Sequence, residues 1–411
     1  MDAKRLTMPV KKIPVTRLEP GMFIHDLNCG WMDHPFLTTR FKVESAKDIR
    51  KILEAGIREV YIDTHLGQDV SDAPTAAEVR GELDGKLRQI AETAAAAPHA
   101  STREELARAH KVHSEANLIM RSVMHDVRLG RQVQVEQMAP LVDKMASSIL
   151  RNSGALLSLA RIKNKDEYTF QHSVGVAALL IAFCRGLGLD EETLRQAGIG
   201  GMVHDVGKMQ TPDNILNKPG KLTDDEFVVM RHHVVASREI LEITPNISQT
   251  ALHVAAQHHE RFDGSGYPNR LKGDEISRIG QMAAIIDVYD AITSDRVYHK
   301  GMAPTEALRK LFEWSKFHFN PELVHAFAKV VGIYPVGVLV RLESERLAVV
   351  VEQREASMLQ PLVRVMFDAR RNHYLKPEEV DLSKPLGRGG ADRIVGHEKP
   401  EEWRIDPMKF L

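Results

Sequence analysis

The spacing of imidazoles and carboxylates between residues 172 and 287 constrains this chain more than any other feature. His172, the adjacent pair His204 and Asp205, the pair His232 and His233, the pair His258 and His259, and Asp287 follow one another at intervals of 25 to 32 residues. Such an interval holds one helix and its connection, so it suits one ligand per helix of a bundle, all converging on a common centre. The density is local: seven of the 19 histidines fall between His172 and His259. Imidazole and carboxylate without thiolate favour Fe, Mn, Zn, Ni or Mg. On a helix His204 and Asp205 point about 100° apart, so both reach one site only where the helix ends or where two cations sit beside it. Asp205 has two oxygens and so has the means to bridge two cations, which an imidazole lacks.

The rest of the chain frames that bundle. Residues 9–70 alternate short β-branched runs ("KKIPVTRLEPGMFI", "FLTTRF", "IREVYID") with one helix, "SAKDIRKILEAG", capped by Ser45 and stopped by Gly56. This predicts a small α/β module. Residues 71–150 read as an alanine-rich linker and then helices, with a capping box from Thr102 to Glu105 and apolar positions at helical spacing up to Gly130 and again from Met138 to Ile149. These helices are expected to pack on the core, with pairing in a homodimer as the alternative. Residues 151–330 are almost wholly helical in pattern. Residues 331–411 give three short strands, "YPVGVLVRL", "RLAVVVEQ" and "LVRVMFD", and a polar, glycine-rich tail. The fold class is mainly α, with a small N-terminal α/β module and a short C-terminal β extension.

Charge and cysteine content narrow the function classes. A formal net charge of −1 offers no field for DNA or anionic lipid. Cys29 and Cys184 form no CxxC pair, which argues against thiolate sites and a disulfide framework and suits a reducing, cytoplasmic setting. The most apolar run, Val174 to Cys184, is too short to span a bilayer.

Taken in order, H…HD…H…HH…D with "HDVGK" and "HHERFDGSGYP" resembles the HD-GYP domain of the HD phosphohydrolase superfamily, over residues 150 to 330. "WMDHPF" and "VYIDT" resemble the domain of unknown function that precedes some HD-GYP domains. The resemblance implies a helical HD-type bundle and a phosphodiesterase that hydrolyses cyclic di-GMP to linear pGpG, or on to GMP, by attack of a metal-bridging hydroxide. It implies two divalent ions, Fe or Mn before Ni, Mg or Zn. One ion would take His172, His204, Asp205 and Asp287; the other would take Asp205, His233, His258 and His259. It selects His233 over His232. Lys208 would be catalytic and touch substrate, with Asp290 and Arg296 also on the substrate side. Two departures stand out. Tyr168 lies four residues before His172, where some members carry a third-metal glutamate, and Glu167 is rotated away by one residue. That favours two metals and pGpG. His299 stands where members often carry a lysine, and it donates less strongly to phosphate. A cyclic dinucleotide sensor or adaptor without turnover, and a phosphodiesterase for cyclic GMP-AMP, are the alternatives.

Other polar residues have duller readings. His110 and His113 lack a third ligand, and His253 reads as packed or surface. Glu260 is a candidate to orient an imidazole. In "DGSGYP", Gly264 and Gly266 permit positive φ and Pro268 fixes the exit. By resemblance, Tyr267 and its neighbours would dock diguanylate cyclases (GGDEF proteins); a rigid turn is the alternative.

Overall fold

The structure, a computed structural model, describes residues 10–411 except 31–35, 37, 93–99, 164–167, 219, 221, 296–299, 354–357 and 386–390. At the N-terminus, β1 (Val10–Pro14), β2 (Phe23–Asp26), β3 (Phe41–Lys42), α1 (Ala46–Glu54) and β4 (Glu59–Asp63) form the expected module. Its sheet has the order β1-β4-β2-β3. Ile13, Ile24, Val60 and Ile62 from the strands and Ile52 from α1 are buried together. Ser45 and Asp48 make the capping box of α1, and Gly56 ends it at φ +79°.

Most of 71–150 is helix rather than linker: α2 (Ala76–Ala91), α3 (Thr102–Arg128) and α4 (Val135–Ala160), the last running through the expected boundary at 150. The capping box of α3 lies one residue earlier than predicted, on Ser101 and Glu104. Burial decides between the overlapping pairs. Glu104 is exposed, whereas Glu105 is wholly buried and accepts from Ser148 (2.9 Å) and Arg151 (2.7 Å). At Asn152 the backbone of α4 is extended, and the side chain donates to Ala100 O (2.9 Å) and accepts from Ala155 N (3.2 Å). Ala109, Ala116 and Met120 of α3 and Met138, Val142 and Met145 of α4 belong to the main core, so these stripes are covered within the chain.

The helical body continues with α5 (Tyr168–Gly186), α6 (Glu191–Val203), the single turn α7 (Asp213–Leu216), α8 (Asp224–Arg231), α9 (His233–Glu242), α10 (Gln249–Gln257), α11 (Arg278–Thr293), α12 (Pro304–Trp314) and α13 (Pro321–Val331). α5 and α11 are apolar around nearly their whole circumference and are buried at the centre accordingly. α6 lies so close to its neighbours that it needs glycine. A Cβ at Gly201 would be 2.7 Å from Ala177 Cα of α5, and one at Gly200 would be 2.9 Å from Ala251 Cα of α10. Three helices that carry or abut candidate ligands are drawn together by this run.

At the C-terminus, β5 (Leu339–Leu342), β6 (Arg346–Glu352), β7 (Leu362–Asp368), β8 (His373–Asp381) and β9 (Ile394–His397) form an antiparallel sheet in the order β8-β7-β6-β5-β9. The three predicted strands are its centre. β8 and β9, which fall in the segment read as a polar tail, are its edges. β8 is exposed along most of its length, so it carries no apolar alternation to betray it. Among the described residues no helix is long and apolar enough to cross a membrane.

Candidate metal centre

The seven predicted ligands meet. His172 comes from α5, His204 from the residue that ends α6, Asp205 from the turn after it, His233 from the first residue of α9, His258 and His259 from the end of α10, and Asp287 from α11. All are buried except His259, which is slightly open. The geometric problem of the adjacent pair is solved by ending the helix: Asp205 has φ −104° and ψ 10°, and a 3-10 turn, Val206–Gln210, follows. Gly207 lets that turn settle on α9, since a Cβ there would meet the Ser237 nitrogen at 2.4 Å.

The imidazoles are aimed by the backbone. Nδ1 of His204, His233 and His258 lies against the carbonyl three residues earlier: Gly201 O at 2.7 Å, Met230 O at 2.6 Å and Ala255 O at 2.8 Å. A carbonyl only accepts, so Nδ1 carries the proton and Nε2 turns its lone pair to the centre. Those three Nε2 atoms, with His259 Nδ1 and Asp205 Oδ1, are buried without a hydrogen-bond partner. Converging orphaned acceptors are costly unless a cation joins them. The donor set therefore fits a metal.

The two oxygens of Asp205 face different rings. Oδ2 is 3.3 Å from His204 Nε2 and 3.6 Å from His172 Nε2; Oδ1 is 3.3 Å from His233 Nε2 and 3.8 Å from His258 Nε2. Donor atoms of His172, His204 and Asp287 lie within 4.8 Å of one another, as do those of His233, His258 and His259. Burial lowers His233 to about 4, with Lys208 adding to it, and lowers His258 to about 3, with His204 adding to it. Burial opposes charge on His204 too, but Asp205 and Asp287 carry it up to about 10. Against the cost of burial, Lys208 and His204 hold the Asp205 carboxyl well below the usual carboxylate range. The carboxylates thus draw positive charge onto His204 while His233 and His258 stay neutral, and a divalent cation would supply that charge in place of the His204 proton.

Around this centre several expectations shift. Asp290, expected to face substrate, is buried behind His172: its Oδ2 lies 2.5 Å from Nδ1 and pairs with Lys163, while His172 Nε2 is 3.0 Å from Asp287. Lys163 was not singled out in the sequence, and nothing in its local run marks it. Lys208 pairs with Asp205 Oδ2 and is largely buried. Among the described residues Glu260 orients no imidazole; it accepts from Asn269 N (2.8 Å) and Leu271 N (3.0 Å) and so ties down the loop. Gly264 has φ +81°, but Gly266 serves close approach, since a Cβ there would meet Arg261 N at 2.3 Å. The peptide before Pro268 is cis. Tyr267 stacks on His259 at 4.7 Å, with Arg231 over its ring. Tyr168 stacks on His172 at 5.5 Å. His232 is exposed, His253 contacts Gln249 on the surface, and His110 and His113 join no cluster of candidate ligands among the described residues. Glu167, Arg296 and His299 lie outside the described residues.

Comparison with known proteins agrees with this geometry. Residues 10–138 match the model of a domain of unknown function, DUF3391, which takes in α2 and α3 as well as the sheet, and residues 144–323 match that of an HD domain. Cyclic di-GMP phosphodiesterase PA4108 of Pseudomonas aeruginosa is 44% identical over 398 residues, covering 96% of this chain and 94% of that protein. The cyclic di-GMP phosphodiesterase response regulator RpfG of Xanthomonas campestris is 40% identical across 42% of this chain and 47% of its own length. The 3'3'-cGAMP-specific phosphodiesterase 1 of Vibrio cholerae is 39% identical across 38% of this chain and 36% of its own length. Over nearly its whole length, then, the chain has a relative of the kind its motifs announce, and it belongs to the HD-GYP family, with a DUF3391 module ahead of the HD domain.

Proposed function

We propose that this chain hydrolyses cyclic di-GMP to linear pGpG at a centre of two divalent ions, Fe or Mn, with His172, His204, Asp205 and Asp287 around one and Asp205, His233, His258 and His259 around the other. The observation that carries the reading is the division of the Asp205 oxygens between two sets of imidazoles. When bound, such ions polarise phosphate oxygens and lower the pKa of water. The chain's own residues do the rest. Backbone carbonyls and Asp290 hold the rings in register. Lys208, beside Asp205, supplies positive charge where negative charge develops on the phosphate. Arg296 is assigned to the substrate phosphates by its family position. Tyr168 supports pGpG as the product, because it stands four residues before His172, where some family members carry a third-metal glutamate, and its ring stacks on His172 instead. A cytoplasmic setting and docking of GGDEF proteins on the partly exposed Gly264–Pro268 turn belong to the same reading.

The test is anaerobic purification with metal analysis, followed by product analysis on cyclic di-GMP. About two equivalents of metal with pGpG accumulating are expected. Asp205→Ala should lose metal and turnover together, whereas Lys208→Ala should keep the metal and lose about a hundredfold in turnover. Metal-loaded protein that binds cyclic di-GMP without cleaving it would replace this reading with a sensor. Faster cleavage of cyclic GMP-AMP would replace the substrate.

A further inference from the structure

A cavity of about 450 Å³ lies among α4, α5, α11, α13 and the start of the C-terminal sheet, and no candidate metal ligand lines it. Its wall is apolar at Leu157, Val330 and Met358 and polar at Arg161, Tyr289 and Gln353. Among the described residues, three of these polar atoms find no partner. Arg161 donates from Nη2 to Val336 O, but its Nη1, the Tyr289 hydroxyl and Gln353 Oε1 are buried without a hydrogen-bond partner. Arg161 forms no ion pair among the described residues, and burial pushes its guanidinium below its ordinary value. A guanidinium nitrogen buried without a partner is destabilising unless an anion reaches it. The volume is in the range of small-molecule sites, with a mostly apolar lining and few fixed polar groups.

We propose that this cavity binds a small amphiphilic anion, a carboxylate or phosphate monoester with an apolar body. Its head sits beside the Arg161 and Tyr289 side chains where they line the cavity, and its body lies along Leu157, Val330 and Met358. Asp290, which holds His172, also lines the cavity, so an occupant sits one residue away from a candidate metal ligand. The site does not depend on which cyclic dinucleotide the enzyme cleaves.

Calorimetric titration of the full, metal-loaded chain tests this with octanoate, octyl phosphate, 1-octanol and inorganic phosphate as probes. One or both amphiphilic anions should bind at a single site about tenfold or more tighter than 1-octanol and inorganic phosphate, and the tighter of the two identifies the head group. Arg161→Met should weaken that binding about tenfold or more, and Leu157→Trp, which fills the cavity without touching the charge, should abolish it. Failure of both anions to bind at about 1 mM overturns the proposal. So does binding no tighter than that of 1-octanol, or binding unchanged in Leu157→Trp. The comparison among probes on the unaltered chain stands even if a variant fails to fold.

Discussion

His172 differs from His204, His233 and His258 in what holds it. Their Nδ1 atoms rest on the backbone carbonyl three residues earlier, whereas His172 Nδ1 rests on the carboxylate of Asp290, itself paired with Lys163 and, through Lys163, with Ser294 (2.9 Å). A carboxylate behind an imidazole fixes the ring and makes its other nitrogen a stronger donor to metal. Asp290→Asn keeps the size and loses the charge, so it should weaken metal binding by about 10- to 100-fold. Chelator competition checks this, with an unchanged unfolding midpoint as the control for folding. That these seven side chains would meet was legible because few residue types bind such metals and their order is distinctive. The role of Asp290 was not: its place three residues after Asp287 says it is near, but only the packing of α5 on α11 says which side of His172 it meets.

At the scale of elements, the end of α1 meets the loop that follows the two adjacent ligands. Gly56 O lies 3.2 Å from His318 Nε2, Arg58 Nε lies 3.3 Å from Asp263 Oδ2, and a Cβ on Gly56 would fall 2.8 Å from Ser265 Cβ. Gly130, which ends α3 at φ +75°, has nothing within 4 Å of such a Cβ. The two glycines therefore separate backbone strain from contact. Gly130→Ala should cost about 1 kcal/mol, the left-handed penalty alone. Gly56→Ala should cost more in stability and also lower turnover, because the added methyl presses on the loop that holds Tyr267 against His259. Denaturant unfolding and specific activity on both variants decide it; equal effects would mean that the contact carries nothing. Helix stops such as Gly56 were readable from the sequence. The start of α3 was not, since two overlapping boxes compete and tertiary burial of Glu105 settles the choice.

The whole molecule is joined through α12, a connection invisible in sequence because its partners sit at opposite ends of the chain. Glu313 accepts from the Tyr61 hydroxyl (2.6 Å) and pairs with Lys12 (2.7 Å), and both Lys12 and Glu313 are almost fully buried. Lys310 reaches Asp26 and Asn28 at 3.2 Å each, and Trp314 Nε1 donates to Asn28 Oδ1, also at 3.2 Å. The module is thus fastened to the helical body by buried polar contacts, and these are unforgiving: removing one partner strands the others away from water. Lys12 also pairs with Glu59 and so keeps one carboxylate when Glu313 is lost, but Tyr61 keeps none among the described residues. Glu313→Ala should therefore destabilise the protein by about 3 kcal/mol, at the lower end for a broken buried pair. Calorimetry should show the unaltered chain melting in one transition, because module and body share this core of contacts. In Glu313→Ala the module should melt first, as a separate and earlier transition. If the variant still melts as one unit at the same temperature, the coupling of the two bodies lies in the contact between α1 and the metal-site loop instead, and Gly56→Ala becomes the substitution that divides them.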